Sequence, residues 1–278
     1  MTDRVTGKVI IITGAGSGFG ALASKRLATM GARLVCCDIN IASAQATVDA
    51  IVGAGGEAAA ATADVSLLDD MRAVASLTVE KFGAIDVLVN NAGIMPLAFL
   101  ADHEAAAEAW SRCIDINFKG VMNGTMAVHD QMIAQGRGLI VNLSSIFGNV
   151  PVMGGSVYGA TKAAVDYFSH SVRQESRGRI KVTVIKPTGV PTTNLGNSVI
   201  NAAAALGAIG ANYGEFRTML ERTMDGSAPP EWSDPESITY ASLEPEYIVD
   251  AIVHAIDQPW GVSISDITVR ASGDHYVM

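Results

Sequence analysis

Cysteine is scarce: Cys36, Cys37 and Cys113 are the only three in 278 residues. The count is odd, and adjacent residues of a strand point to opposite faces. A disulfide-stapled scaffold is therefore excluded, and a reducing compartment such as the cytoplasm is expected. No apolar run approaches the ~18 residues that a membrane-spanning helix needs. The start, Met1-Thr2-Asp3-Arg4, lacks the apolar stretch of an export signal. Basic residues are few, 19 Lys and Arg against 28 Asp and Glu, with a formal net charge of −9 and no basic cluster. Nucleic acid and anionic lipid are thus not favoured partners. The histidines, His103, His129, His170, His254 and His275, are scattered without an H-x-x-x-H pair or a cysteine cluster, which argues against metal catalysis. No proline- or serine-rich linker divides the chain, and no internal repeat is found.

What is present is alternation. Short β-branched runs at residues 8–12, 33–38, 57–63, 85–89, 139–143, 180–185 and 264–269 alternate with Ala-rich helical patterns at 20–30, 41–53, 67–82, 105–135, 156–176 and 245–257. The 105–135 pattern reads as one long helix bent near Gly120. Strands that are apolar throughout need cover on both faces. The expectation is an α/β fold: one doubly wound domain over residues 1–278, with a parallel sheet of about seven strands. Residues 188–243 break the pattern with Ala, Gly, Asn and then Pro229, Pro230 and Pro235, as expected of a substrate lid that orders over a ligand.

The first strand runs into Thr13-Gly14-Ala15-Gly16-Ser17-Gly18-Phe19-Gly20 and then a helix. Glycines let the backbone turn tightly and approach a pyrophosphate, and a helix N-terminus offers free N–H groups and a positive dipole. Gly14, Ser17, Gly18, Phe19 and Gly20 are therefore candidate dinucleotide contacts. Asp38 ends the second strand, where a carboxylate accepts from ribose hydroxyls and repels a 2′-phosphate. No Arg or Lys lies within residues 13–20 or 39–45 to welcome that phosphate. NAD is expected rather than NADP.

Tyr158 and Lys162 share one face of a helix. A nearby ammonium favours the phenolate, so Tyr158 is the candidate acid/base. Ser145, just past the fifth strand, is placed to hold a substrate oxygen, with Ser144 as its rival. Asn117 stands mid-helix, where a polar duty or a satisfied interior amide would account for it. Met95, Phe147 and Met153, with Ser145, are the expected pocket walls. They are mostly apolar and without clustered Arg or Lys, which points to a neutral, moderately apolar secondary alcohol or ketone.

Thr13 to Gly20, Asp64-Val65, Asn90-Asn91-Ala92-Gly93, Asn117, Ser145, Tyr158 with Lys162, and Pro187 to Thr192 together resemble the short-chain dehydrogenase/reductase family. The resemblance implies hydride transfer between NAD(H) and an alcohol/ketone pair. It places Asp64 and Val65 beside the adenine, and Asn91, Ala92 and Gly93 along the path to the nicotinamide ribose. Lys162 would bind the ribose hydroxyls, and Asn117 would hold a water in a proton relay. Pro187, Gly189, Val190 and Thr192 would line the nicotinamide, with Thr192 on its carboxamide. It also implies a homo-oligomer, a tetramer or dimer, built through residues 105–135 and 156–176. The family usually has Gly after Pro187; here Thr188 precedes Gly189, and Pro191 adds a constraint to that loop. Two other readings share these residues: a sugar epimerase or dehydratase that retains NAD, and a non-catalytic NAD(H) sensor.

Overall fold

The computed structural model describes residues 4–190 and 193–277. Seven parallel strands, β1 (Val9–Thr13), β2 (Arg33–Asp38), β3 (Glu57–Thr62), β4 (Val87–Asn90), β5 (Gly138–Leu143), β6 (Ile180–Pro187) and β7 (Asp266–Val269), form one sheet in the order β3-β2-β1-β4-β5-β6-β7. The chain winds outward from β1 to β3, then returns to β4 beside β1 and winds the other way. A crevice therefore opens at the carboxyl ends of β1 and β4, where ligands bind in such sheets.

Burial explains the sheet. Every residue of β1, β4 and β5 is buried, while the edge strands β3 and β7 are half exposed. One face packs Ile10 and Ile12 against α1 (Gly18–Thr29), α2 (Ile41–Gly53) and α8 (Pro245–Ile256). The other packs Ile11, Leu88 and Ile140 against α3 (Leu68–Phe82) and α5 (Gly120–Ala134). Fully burying one such side chain contributes roughly 1.5–3 kcal/mol. A buried polar chain ties this layer together: Asn90 Nδ2 donates to Asn142 Oδ1 at 2.9 Å, and Asn142 Nδ2 donates to Ser169 Oγ at 2.8 Å.

The helical stretch expected over 105–135 is three pieces. α4 (His103–Ile114) passes into a single wide turn, Asp115–Lys119, and then into α5. The irregularity precedes Gly120 rather than centring on it. Gly120 is instead a packing position, where a Cβ would stand 2.7 Å from Val65 Cγ2. Wide turns of this kind cluster at functional sites, and this one carries Asn117.

Residues 188–243 have more structure than their composition suggests. Tight turns at Asn194–Ser198 and Ala202–Ala208 precede α7 (Tyr213–Met224). The far end of the segment joins the core through Tyr240 and Leu243. The C-terminal tail clasps it, with Val277 N–H donating to Ala208 O at 3.1 Å and Asn212 Nδ2 to His275 O at 3.0 Å. No helix among the described residues is long and apolar enough to cross a membrane.

Candidate active site

The glycine turn shows why each glycine is needed. Gly14 and Gly18 have φ of +64° and +50°, the left-handed region that side chains avoid. Gly20 is required by approach, since a Cβ there would lie 2.2 Å from the Gly14 carbonyl oxygen. Ser17 caps α1 in extended conformation without a side-chain hydrogen bond. The first-turn N–H groups of α1 are thus left to an anion, and nothing lies within 4 Å of where a Gly18 Cβ would stand. This cradle fits a dinucleotide phosphate. Phe19 leans the other way, partly buried against the core.

Asp38 locks the turn. Its Oδ2 accepts from Gly16 N at 2.9 Å, and its Oδ1 accepts from Asn40 N at 2.9 Å. Asn91 fastens β4 to the same turn: its Nδ2 donates to Thr13 O at 2.8 Å and Gly14 O at 3.2 Å. Thr13 Oγ1 in turn accepts from Asn91 N at 3.0 Å and Ala92 N at 3.1 Å. Asp64 Oδ1 accepts from Ser66 N and Oγ at 2.9 and 2.7 Å. Val65 is buried, and its carbonyl accepts from Asn123 Nδ2 at 2.9 Å.

Tyr158 and Lys162 lie on α6 (Ser156–Glu175) and both are buried. The Lys162 ammonium is 5.7 Å from the Tyr158 ring centroid and donates to Leu143 O at 2.8 Å. Burial pushes Lys162 down to about 8, with Cys113 and Asp166 acting upward. Burial pushes the Tyr158 phenol up to about 12, with the Ser145 hydroxyl acting downward as a hydrogen-bond partner. The expected lowering of the phenol by Lys162 is not seen: desolvation, which disfavours the charged form, raises it, and the downward pull comes from Ser145.

Ser145 and Ser144 divide as their alternation requires. Ser145 Oγ accepts from Phe147 N at 3.3 Å and faces Tyr158. Ser144 Oγ donates to Lys162 O at 3.2 Å, a scaffold bond. Asn117 is 1% exposed and clamps the loop after β4: its Oδ1 accepts from Ile94 N and its Nδ2 donates to Ile94 O, each at 2.9 Å. Its Nδ2 also reaches Cys113 Sγ and Thr161 Oγ1, both at 3.3 Å. Gly93 fits between Asn117 and Lys162, since a Cβ there would lie 3.2 Å from Asn117 Oδ1 and 3.7 Å from Lys162 Nζ. Sequence reasoning missed Cys113 and Thr161. Their signal was helical spacing, four residues before Asn117 and three after Tyr158.

An apolar cluster closes over the site. Leu97, Cys113, Tyr158 and Ala204 are its buried members, with Ile94, Met95, Phe99, Phe147 and Val199 packed against them. Phe147 meets Tyr158 edge to face at 5.4 Å. Met95 N–H donates to Ser198 Oγ at 2.7 Å, so residues of the segment after β6 are bonded across the site. Met153 differs from its expected place. The residue is 76% exposed, and its backbone carbonyl lies against Gly207. Gly189 is explained by Tyr276, whose hydroxyl would lie 1.8 Å from a Cβ there. Pro187 ends β6, and Val190 packs partly buried against the first core. Thr192, expected at the carboxamide, and Pro191 lie outside the described residues. A cavity of about 600 Å³ between α7 and the tail, lined by Met219, Arg222, Trp232 and His275, contains none of these residues.

Comparison with known proteins agrees with this geometry. The pattern of the short chain dehydrogenase family matches residues 8–203. An uncharacterised oxidoreductase of Listeria monocytogenes is 33% identical over 95% of this chain and 96% of its own. A 7α-hydroxysteroid dehydrogenase, solved with NADH and 7-oxo glycochenodeoxycholic acid, superposes with a TM-score of 0.80 at 25% identity, covering 100% of this chain and 99% of that one. A metagenomic short-chain oxidoreductase solved with NADP gives a TM-score of 0.72 at 28% identity, over 96% and 98% of the two chains. The fold and these matches define an oxidoreductase. The chain belongs to the short-chain dehydrogenase/reductase family.

Proposed function

We propose that this oxidoreductase moves a hydride between NAD(H) and a neutral, moderately apolar secondary alcohol or ketone, with Tyr158 as its proton donor and acceptor. The observation that carries the reading is the joint burial of Tyr158, Ser145 and Lys162 under an apolar cluster, beside a glycine turn with free helix amides. Bound there, the nicotinamide would supply or take the hydride. Gly14, Ser17, Gly18 and Gly20 would hold its phosphates and Asp38 its adenosine ribose, while Asp64 and Val65 would flank the adenine. Asn91, Ala92, Gly93, Pro187, Gly189, Val190 and Thr192 would frame the nicotinamide end, and Lys162 would hold its ribose. Ser145 orients the substrate oxygen against the Tyr158 hydroxyl. Tyr158 gives its proton to a carbonyl oxygen or takes one from an alcohol, and Asn117 fixes the loop that walls the Lys162 side. Met95 and Phe147 line the apolar side. Residues 188–243 act as a lid of a single domain, opening to admit substrate to a tyrosine that is 3% exposed.

The protein is read as a cytoplasmic homo-oligomer, with a tetramer as the leading arrangement. Support comes from its three unpaired, buried cysteines and from Ile114 and Tyr167, 50% and 78% exposed on α4 and α6. The reading of Asp38 is tested by cofactor preference. The wild type should have a far higher kcat/KM with NAD than with NADP, and Asp38→Ala should narrow the gap. Equal wild-type efficiency with the two cofactors would contradict it.

A further inference from the structure

One helical turn after Lys162, α6 carries Asp166, which is 9% exposed. Its Oδ2 lies 2.9 Å from the ammonium of Lys186 on β6. That ammonium also donates to Asn149 Oδ1 at 3.0 Å, in the turn that follows Ser145. Asp166 Oδ1 is buried and has no hydrogen-bond partner. Gly148 admits this arrangement. A Cβ there would stand 3.0 Å from the Lys162 carbonyl carbon and 3.1 Å from Asp166 Oδ2. Burying two charges costs desolvation that their attraction often fails to repay, and apolar residues of similar volume commonly serve packing as well or better. Packing alone therefore gives no reason for charge at these two positions.

We propose that Asp166 and Lys186 form a positioning pair that sets the charge carried by Lys162, Asp166 holding its ammonium protonated and Lys186 limiting how strongly. The inference rests on the reading of Lys162 as the cation of the site. The groups facing Lys162 are few. Its own helix presents Tyr158 and Asp166, and α4 presents Cys113, while Lys186 on β6 is paired with Asp166. Asn117, the Leu143 carbonyl and the Ser144 and Ser145 hydroxyls are neutral. Burial holds the Cys113 thiol above its ordinary value, so it is uncharged near neutrality. Asp166 is then the one anion acting on Lys162 among these groups. Lys162 is poised at about 8 by burial, a range in which one neighbouring charge changes its protonation at working pH.

The two partners should shift Lys162 in opposite directions. Asp166→Asn removes the anion and leaves the Lys186 cation, so Lys162 should lose its proton about one unit lower. Lys186→Met leaves Asp166 unopposed, so Lys162 should keep its proton about one unit higher. Asp166→Asn with Lys186→Met should fall between the two single variants, and Asp166→Glu should titrate like the wild type. The measurement is an NMR titration of ε-labelled lysine in the full chain, with the Lys162 signal identified by its loss in Lys162→Arg. The alkaline limb of NADH affinity against pH should move with it. If Asp166→Asn fails to fold, Lys186→Met and Asp166→Glu carry the test. Shifts of the same sign in both single variants, or an unmoved Lys162 signal in Lys186→Met, would overturn the proposal. The titration does not depend on turnover, so a wild type that oxidises no alcohol would defeat the functional reading while leaving this result legible.

Discussion

Tyr158→Phe is expected to bind NADH as the wild type does and to lose at least the ~10²–10⁴-fold in turnover that a positioned acid/base contributes. The substitution deletes one hydroxyl. The ring keeps its edge-to-face contact with Phe147 and its place with Leu97, Cys113 and Ala204. The phosphate cradle and Asp38 are on other elements and are untouched. Burial pushes the phenol up to about 12, so near neutrality Tyr158 holds its proton and is ready to donate it to a carbonyl. The oxidation of an alcohol needs the phenolate instead. Its rate should therefore rise with pH, helped by the positive charge of oxidised nicotinamide, since Lys162, held down to about 8, gives up its proton before the phenol does. Lys162→Met should impair both turnover and cofactor affinity. Combined with Tyr158→Phe, its effect should be far from additive, because the two residues act as a unit. Initial rates over a pH series and NADH fluorescence titrations on each variant measure this. Near-normal turnover in Tyr158→Phe would send the search for the acid/base elsewhere.

Gly20→Ala should weaken cofactor binding severely while leaving most of the fold standing. The added Cβ would lie 2.2 Å from the Gly14 carbonyl oxygen and 2.6 Å from Asn91 Nδ2. The first of these belongs to the backbone and cannot swing aside, so the start of α1 must move off the glycine turn. The uncapped amides at the start of α1 move with it. Charge-assisted hydrogen bonds contribute about 1.5–3 kcal/mol each, so misplacing two of them weakens NADH binding by roughly 10²–10⁴-fold. Displacement of Asn91 also loosens β4 from Thr13, so a modest loss of thermal stability should accompany it. A dissociation constant within tenfold of the wild type would show that the turn does not hold the phosphates.

The sheet was legible because parallel strands buried on both faces must be apolar throughout, as in Val9–Thr13 and Val87–Asn90. The glycine turn was legible because positive φ and close approach demand glycine at 14, 18 and 20. The common burial of Tyr158 and Lys162 followed from helical spacing, and the different partners of Ser144 and Ser145 from the alternation at the end of β5. Other features carry no local signal. The wide turn at Asp115–Lys119 keeps the apolar pattern of an ordinary helix, and Asn117 is held by the backbone of Ile94, 23 residues earlier in the chain. Helix α7 buries none of its residues: its apolar side chains, Phe216, Met219, Leu220 and Met224, stay partly or largely exposed, so no core face marks it. Met153 shows the limit of type-based reasoning: an apolar residue beside the site, with its side chain turned to solvent. Asp166 and Lys186 lie on different elements, and only the fold brings them together.

The central claim is hydride transfer assisted by Tyr158, and isotopic transfer tests it most directly. Neutral cyclic and open-chain secondary alcohols are screened with NAD by the absorbance of reduced nicotinamide. The best of them is then prepared with deuterium on its carbinol carbon. The account predicts one deuterium in each NADH formed by the wild type, with transfer slowed at least ~10²-fold in Tyr158→Phe. Reduced cofactor that carries no label, or labelled cofactor formed as fast by Tyr158→Phe as by the wild type, would contradict it.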